Sequence, residues 1–131
     1  MTPDDVRDRA VHHASVAGSG AVIASRLRLA DTHWTRLRGL LGTTDLPDGD
    51  GLWIRPCRQV HMFGMRYAID VVFLDDARTV VGLAEALAPW RVSPLVKAST
   101  SVIELPAGTI AKTGLAAGQA ITISPRSPSA G

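Results

Sequence analysis

The chain has 131 residues, a formal net charge of +2, and 46% hydrophobic and 20% charged residues. This length and balance predict one globular domain and exclude a largely disordered chain. Cys57 is the only cysteine, so no intrachain disulfide can form. No apolar run reaches about 18 residues and the first residues are acidic, so we expect a cytoplasmic protein without a membrane span or secretory signal.

The predicted domain covers residues 21–123. Residues 1–20 are expected to form a flexible arm, and the Pro- and Ser-rich residues 124–131 a disordered tail. In the domain, VIASRLRLA alternates apolar and polar side chains, which predicts a strand over residues 22–30. Asp31 or Thr32 then caps a predicted short helix that ends at Gly42.

Short strands are predicted along the rest of the domain. GLWIRPC is a brief strand stopped by Pro56, and RQVHM with MRYAIDVVFL forms a candidate hairpin around Phe63-Gly64. TVVGLAEAL, STSVIEL and AITIS are further strands, with PAGT and GLAAGQ as turns. About seven short strands with one short helix predict a mainly β fold, an antiparallel β-sandwich or open barrel.

Asp70 interrupts an otherwise apolar strand. Alternation places Tyr67, Ile69, Val71 and Phe73 on one face, and Arg66, Ala68, Asp70, Val72 and Leu74 on the other. A two-residue turn at Phe63-Gly64 would set His61 opposite Arg66 and Cys57 opposite Asp70. This register predicts a polar cluster, because a buried carboxylate needs partners or a wet cleft.

Two interpretations of this cluster remain open. In the chemical one, the candidate catalytic residues are His61, Asp70 and Glu104, and Cys57 is a nucleophile if a base lowers its pKa. In the structural one, which we favour, Asp70 bonds to loop backbone or an arginine, and Cys57 is a small core residue. Glu104 would then bond to backbone amides of the PAGT turn.

A binding site at the turn is the other hypothesis. Soft apolar, aromatic and cationic side chains surround it, a mixture suited to contact surfaces. The candidate ligand-binding residues are Trp53, His61, Met62, Phe63, Met65, Arg66 and Asp70. The histidine and cysteine spacing predicts no metal site, and no phosphate-binding loop or other cofactor motif occurs, so no cofactor is expected.

The arginines offer a third possibility. Arg26, Arg28, Arg36, Arg38, Arg55 and Arg58 could form a basic patch for nucleic acid. A solvated face balanced by Asp31, Asp45, Asp48 and Asp50 is the favoured interpretation, so a nucleic-acid partner is not favoured.

Several segments resemble the DUF192 family, a set of small bacterial and archaeal proteins of unknown function. They are RGLLG, GLWIRPCRQVHMFGMRYAIDVVFLDD, APWR, VIELPAGTI and GLAAGQAITI, spread in order from about Val22 to Ile123. The resemblance implies a compact, mainly β fold with one short helix, and it brings no reaction, substrate or cofactor. The family commonly has Gly-Asp in the last turn, where this chain has Gly118-Gln119.

The first functional hypothesis is therefore a non-enzymatic module that binds a small molecule or a protein partner at the Phe63-Gly64 turn. The alternative is an enzyme of undefined reaction that uses His61 and Asp70, and the second alternative is a weak nucleic-acid binder. Geometry separates the first two, because acid–base chemistry requires His61 and Asp70 to lie within hydrogen-bond reach.

Overall fold

The computed structural model describes residues 11–32 and 39–125. The strands are β1 (Val11–Val16), β2 (Val22–Ala30), β3 (Asp50–Ile54), β4 (Ile69–Leu74), β5 (Val80–Leu87), β6 (Ser101–Pro106) and β7 (Ile121–Pro125). A short helix, α1, covers Thr109–Thr113. None of the helices within the described ranges has the length and apolar character to cross a bilayer.

The seven strands form one sheet in the order β5-β4-β6-β3-β2-β1-β7. Every pairing is antiparallel except that of β2 with β3, which is parallel. The sheet curls into a half-barrel, and its edge strands meet at one end, where the Val80 N–H donates to Gln119 O at 2.8 Å. The mainly β prediction is therefore confirmed, with an open barrel closer to the structure than a sandwich.

The central strands are buried on both faces, which is why β3, β4 and β6 read as nearly continuous apolar runs. One face carries the large cluster, which includes Trp53, Val72, Leu74, Ile103 and Leu105. The other face carries the small cluster, which includes Leu52, Ile54, Ile69, Val71, Phe73 and Val102. The alternation predicted for the Asp70 strand is confirmed, because Ile69, Val71 and Phe73 share one face.

The predicted hairpin around Phe63-Gly64 is wrong, although the turn exists. Strand β4 begins only at Ile69, and it pairs with β5 and β6. Residues 58–62 pair instead with residues 91–96: the Met62 N–H donates to Arg91 O and the Ser93 N–H to Val60 O, both at 2.8 Å. The segment leaves the sheet because its apolar side chains cover the small cluster, and residues 91–96 then satisfy its backbone groups.

The two ends of the predicted domain differ from the structure. Residues 11–16 were assigned to the arm, but they form β1, which lies between β2 and β7. Ser124 and Pro125, assigned to the tail, belong to β7. The expected helix after Asp31 falls mainly on residues 33–38, outside the described residues, and residues 39–42 form a turn.

The structure shows what the two stretches predicted as the last turns, PAGT and GLAAGQ, form. After Pro106 the chain turns at Gly108 and enters α1, so PAGT leads into a helix. In the turn before β7, the Gln119 side-chain carbonyl accepts a hydrogen bond from the Ala116 N–H at 3.0 Å. Gln119 therefore supports the turn in which the family commonly has aspartate.

Candidate functional site

The Phe63-Gly64 turn borders a pocket of about 200 Å³, named here the turn pocket. It opens on the small-cluster face of the sheet. Its lining is mostly apolar and contains two methionines, which adapt their shape to a ligand. The lining residues are Gly39, Leu40, Leu41, Ile54, Pro56, Cys57, Gln59, Val60, His61, Met62, Phe63, Met65, Ile69 and Glu104.

Described residues from three strands and two loops line this pocket, and the second loop supplies residues 39–41. Strands β3, β4 and β6 each contribute one lining side chain, Ile54, Ile69 and Glu104. The loop over residues 56–65 supplies most of the wall, and its turn is closed by the Met65 N–H, which donates to Met62 O at 3.2 Å. Gly64 has φ +82, and a Cβ there would lie 3.2 Å from the Leu41 side chain, so glycine suits this position.

Aromatic side chains line up beside the pocket. The His61 and Phe63 rings stack with centroids 5.0 Å apart, and the Phe63 and Trp90 centroids are 6.2 Å apart. Phe63 is 49% exposed and Trp90 is 68% exposed. The backbone of Trp90 is fixed beside the turn, because its main-chain N–H donates to Met62 O at 2.9 Å. The mouth of the turn pocket is thus an exposed aromatic surface.

Glu104 is the one carboxylic acid in the described lining of the turn pocket. It lies opposite Val71 in the β4–β6 register and opposite Leu52 in the β3–β6 register, and both neighbours belong to the small cluster. Its side chain is 6% exposed, and burial raises its pKa from 4.5 to about 7. Within residues 11–32 and 39–125, no group hydrogen-bonds to its carboxyl.

Tyr67 lies close enough to respond to Glu104. Burial raises the pKa of Tyr67, its hydrogen bond with Thr43 lowers it, and the charges of Glu104 and Asp45 raise it. The Tyr67 and Thr43 hydroxyl oxygens are 2.7 Å apart. This bond ties the segment before β4 to the described residues that follow Gly42.

Asp70 is buried on the opposite face of the sheet. It is fully inaccessible to solvent and pairs with Leu105, a member of the large cluster. Its Oδ1 accepts a hydrogen bond from the Ala86 N–H at 2.8 Å. Its Oδ2 accepts from the Gly108 N–H at 3.1 Å and the Ile110 N–H at 2.8 Å. The carboxylate thus joins β5 and the start of α1 to the centre of the sheet.

The predicted placement of His61 and Asp70 on one face is therefore wrong. His61 lines the turn pocket on the small-cluster face, whereas the Asp70 carboxylate is taken up by backbone amides on the large-cluster face. The predicted register also fails for Cys57, because Asp70 pairs with Leu105 and not with Cys57. The structural interpretation of Asp70, as an acceptor for loop backbone, agrees with these bonds.

The expected role of Glu104 is also wrong. It was assigned to the amides of the PAGT turn, but the Gly108 amide in that turn donates to Asp70. Neighbouring residues of β6 alternate between faces, so Glu104 points away from the side on which α1 lies. The sequence contained a signal for this position: Glu104 lies between two apolar residues, Ile103 and Leu105, so it must face the other side of the strand.

Four of the predicted ligand-binding residues line the turn pocket: His61, Met62, Phe63 and Met65. Arg66 is exposed and is not part of the lining. Trp53 is buried in the large cluster. Trp90 was not predicted, although a lone tryptophan in the Pro-rich segment APWR was a usable signal.

Trp53 belongs to a second cleft, of about 450 Å³. The guanidinium groups of Arg55 and Arg78 lie 4.5 Å and 4.9 Å from its ring centroid. Both arginines also contact other protein groups, since Arg55 pairs with Asp31 at 3.8 Å and Arg78 donates to Ile123 O at 3.1 Å. This cleft is larger than the turn pocket, and the Nε1 of its lining residue Trp53 is buried without a hydrogen-bond partner among the described residues.

Three of the four described arginines of the possible basic patch, Arg26, Arg28 and Arg55, pair with acids. Arg26 and Arg28 both pair with Asp50, at 2.6 Å and 3.7 Å. Arg36 and Arg38 lie outside the described residues. Among residues 11–32 and 39–125, no three His, Cys, Asp or Glu side chains converge on a point that could hold a metal ion.

Comparison with known proteins identifies the family but no activity. Residues 14–123 match the DUF192 family model, described as "Uncharacterized ACR". A UPF0127 protein of Thermococcus sibiricus is 38% identical over 96 residues, which are 70% of this chain and 61% of that protein. The chain therefore spans about three fifths of the length of that relative.

Two solved structures share the fold at low identity. A protein of unknown function from Novosphingobium aromaticivorans has a TM-score of 0.75 at 23% identity, covering 93% of this chain and 97% of its own. A Sinorhizobium meliloti protein, described as a candidate transcription regulator, has a TM-score of 0.71 at 20% identity, covering 87% and 95%. By the match over residues 14–123, the chain belongs to the uncharacterised DUF192 family.

Proposed function

We propose that the chain is a binding module, and that the turn pocket takes one small molecule with an apolar body. The observation that carries this proposal is an exposed aromatic mouth, Phe63 and Trp90, beside a pocket with a methionine-rich lining. Contiguous exposed apolar groups around a concave site are typical of binding surfaces. A pocket of about 200 Å³ has room for a benzene-sized group with a short substituent.

The lining supports binding over catalysis. The His61 and Asp70 pair required by the enzymatic alternative lies on two faces of the sheet. Methionine side chains offer polarisable contacts of adaptable shape, which favour an apolar ligand. Nucleic acid is less well supported, because Arg26 and Arg28 already pair with Asp50.

Benzyl alcohol, a neutral probe of suitable size, tests the proposal. With ¹³C-methyl-labelled methionine, we expect saturable shifts of the Met62 and Met65 signals, with the weak dissociation constant of a small fragment. Phe63→Ala should weaken binding several-fold because it removes part of the mouth. Val22→Ala is the matched control, since Val22 is 48% exposed and does not line the pocket.

Alkylation of Cys57 gives an independent measurement. Cys57 is the only cysteine and lines the turn pocket, so a bound probe should slow its reaction with iodoacetamide. Shifts that do not saturate, together with unprotected Cys57, would contradict a binding role for this pocket.

A further inference from the structure

We propose that the ligand of the turn pocket is a small primary amine with an aromatic or branched alkyl body, whose ammonium group pairs with Glu104. This inference rests on the proposed binding function and adds the chemical class of the ligand. It follows from the position of Glu104, from the absence of a described partner for its carboxyl, and from the charges around it.

Within the described part of the chain, the carboxyl of Glu104 faces the turn pocket. Glu104 is only 6% exposed to solvent, and it lines the pocket together with Ile54 and Ile69. On β3 and β4, its cross-strand neighbours are Leu52 and Val71, which are both apolar. With respect to the described residues, the pocket is therefore the side from which a hydrogen-bond donor can reach this carboxyl.

The described protein supplies no such donor. Buried carboxylates are normally bonded, and Asp70 on the other face of the same strand pair accepts three backbone hydrogen bonds. Glu104 accepts none from the described residues. A ligand ammonium would satisfy it with charge-assisted hydrogen bonds, which are the stronger kind.

The charges around the pocket favour a cation over an anion. The described lining contains no lysine or arginine, so none of the described lining residues is a permanent cation that would pair with Glu104 or attract an anion. Among the described residues, the other titratable groups on this side are Cys57 and His61 in the lining, Tyr67 before β4, and Asp45, whose charge acts on Tyr67. The stacked His61 and Phe63 rings beside the mouth also suit an approaching cation.

The protonation of Glu104 provides a signature of this pairing. Burial raises its pKa to about 7, so the carboxyl is largely protonated at pH 6. An ammonium stabilises the ionised form, and its binding should therefore release a proton from Glu104. A neutral ligand of the same shape has no reason to release one.

The test compares benzylamine, benzyl alcohol and benzoate at pH 7.5, with the Met62 and Met65 methyl signals as the measurement. We expect benzylamine to bind about tenfold more tightly than benzyl alcohol, and benzoate most weakly. In Glu104→Gln, benzylamine should lose this advantage, while benzyl alcohol stays within about threefold. Glu85→Gln is the matched control, because Glu85 is exposed on β5 and outside the lining.

Calorimetry of benzylamine at pH 6 in two buffers of different ionisation enthalpy counts the released protons. Close to one proton per ligand is expected for the natural chain and none for Glu104→Gln. Benzyl alcohol binding as tightly as benzylamine, or benzylamine binding that survives Glu104→Gln, would overturn the amine assignment and leave the pocket intact. Failure of all three probes would overturn the proposed function, and the amine assignment with it.

Discussion

Asp70 and Glu104 are two buried carboxyl groups on the same pair of strands, with opposite surroundings. Asp70 is fully buried and accepts three backbone hydrogen bonds, whereas Glu104 is 6% exposed and accepts none from the described residues. Their positions are one step apart in the register, since Asp70 lies opposite Leu105 and Val71 opposite Glu104. Because of that single step, the two carboxyl groups lie on opposite faces of the sheet. Asp70 has a structural role, whereas Glu104 is a candidate for ligand binding.

The largest expected effect is the loss of the Asp70 charge. Asp70→Asn should lower the free energy of unfolding by about 4 kcal/mol, because one acceptor oxygen is replaced by an NH₂ group that faces backbone donors. Urea denaturation at pH 7 measures it. Asp48→Asn is the control, since Asp48 is exposed and should change stability by less than about 0.5 kcal/mol. A loss below about 1 kcal/mol for Asp70→Asn would mean that these bonds contribute little.

The same chemical change at Glu104 should have the opposite sign. The pKa of Glu104 is about 7 when folded and near 4.5 when unfolded, so the unfolded chain binds fewer protons between these values. Stability should therefore fall as pH rises from about 4.5 to 7 and then level off, by up to about 3 kcal/mol. Glu104→Gln should remove this fall and be the more stable protein at pH 8.

Denaturation curves of both proteins at pH 5 and pH 8 measure this difference. Other titrating groups affect both proteins alike, so the difference between them isolates Glu104. Equal pH dependence in the two proteins would show that the ionised carboxyl is stabilised in the folded chain, and the contrast with Asp70 would disappear.

The smallest expected change in stability comes from substituting Gly108, in the turn whose backbone N–H donates to Asp70. Gly108 has φ +97 and its N–H donates to Asp70, so Gly108→Ala should cost about 1 kcal/mol from backbone strain. Gly118 also has a positive φ, +92, but its N–H donates to Val80 O and not to Asp70. Gly118→Ala should therefore lower stability by the same amount without affecting Asp70. Combined with Asp70→Asn, only Gly108→Ala should deviate from additivity, by about 0.5 kcal/mol or more. Equal coupling for both glycines would mean that the turn and Asp70 act independently.

Local patterns predicted the strands well and their partners poorly. The alternation over residues 22–30 gave β2 with its bounds, and the faces of β4 were assigned correctly. The partner of residues 58–62 was missed because it lies about thirty residues later, in a Pro-rich segment without alternation. Strand β1 was missed because the pattern VHHASV carries two histidines and little apolar periodicity.

The candidate site was predicted in part for the same reason. His61, Met62, Phe63 and Met65 are close in sequence, so a turn at Gly64 was enough to bring them together. Glu104 joins them only through the pairing of β6 with β3 and β4, which no local pattern specifies. For Asp70, burial was predictable from the apolar strand around it, but its donors on Ala86, Gly108 and Ile110 come from distant turns.

The place of β1 in the sheet has a consequence for the order of assembly during synthesis. It pairs with β2, its neighbour in the chain, and with β7, about a hundred residues later. Until β7 has left the ribosome, one edge of β1 lacks its final partner, and Ile121 and Ile123 are absent from the large cluster. Closure between β1 and β7 is therefore expected as a late folding step, since contacts so distant in the chain form slowly.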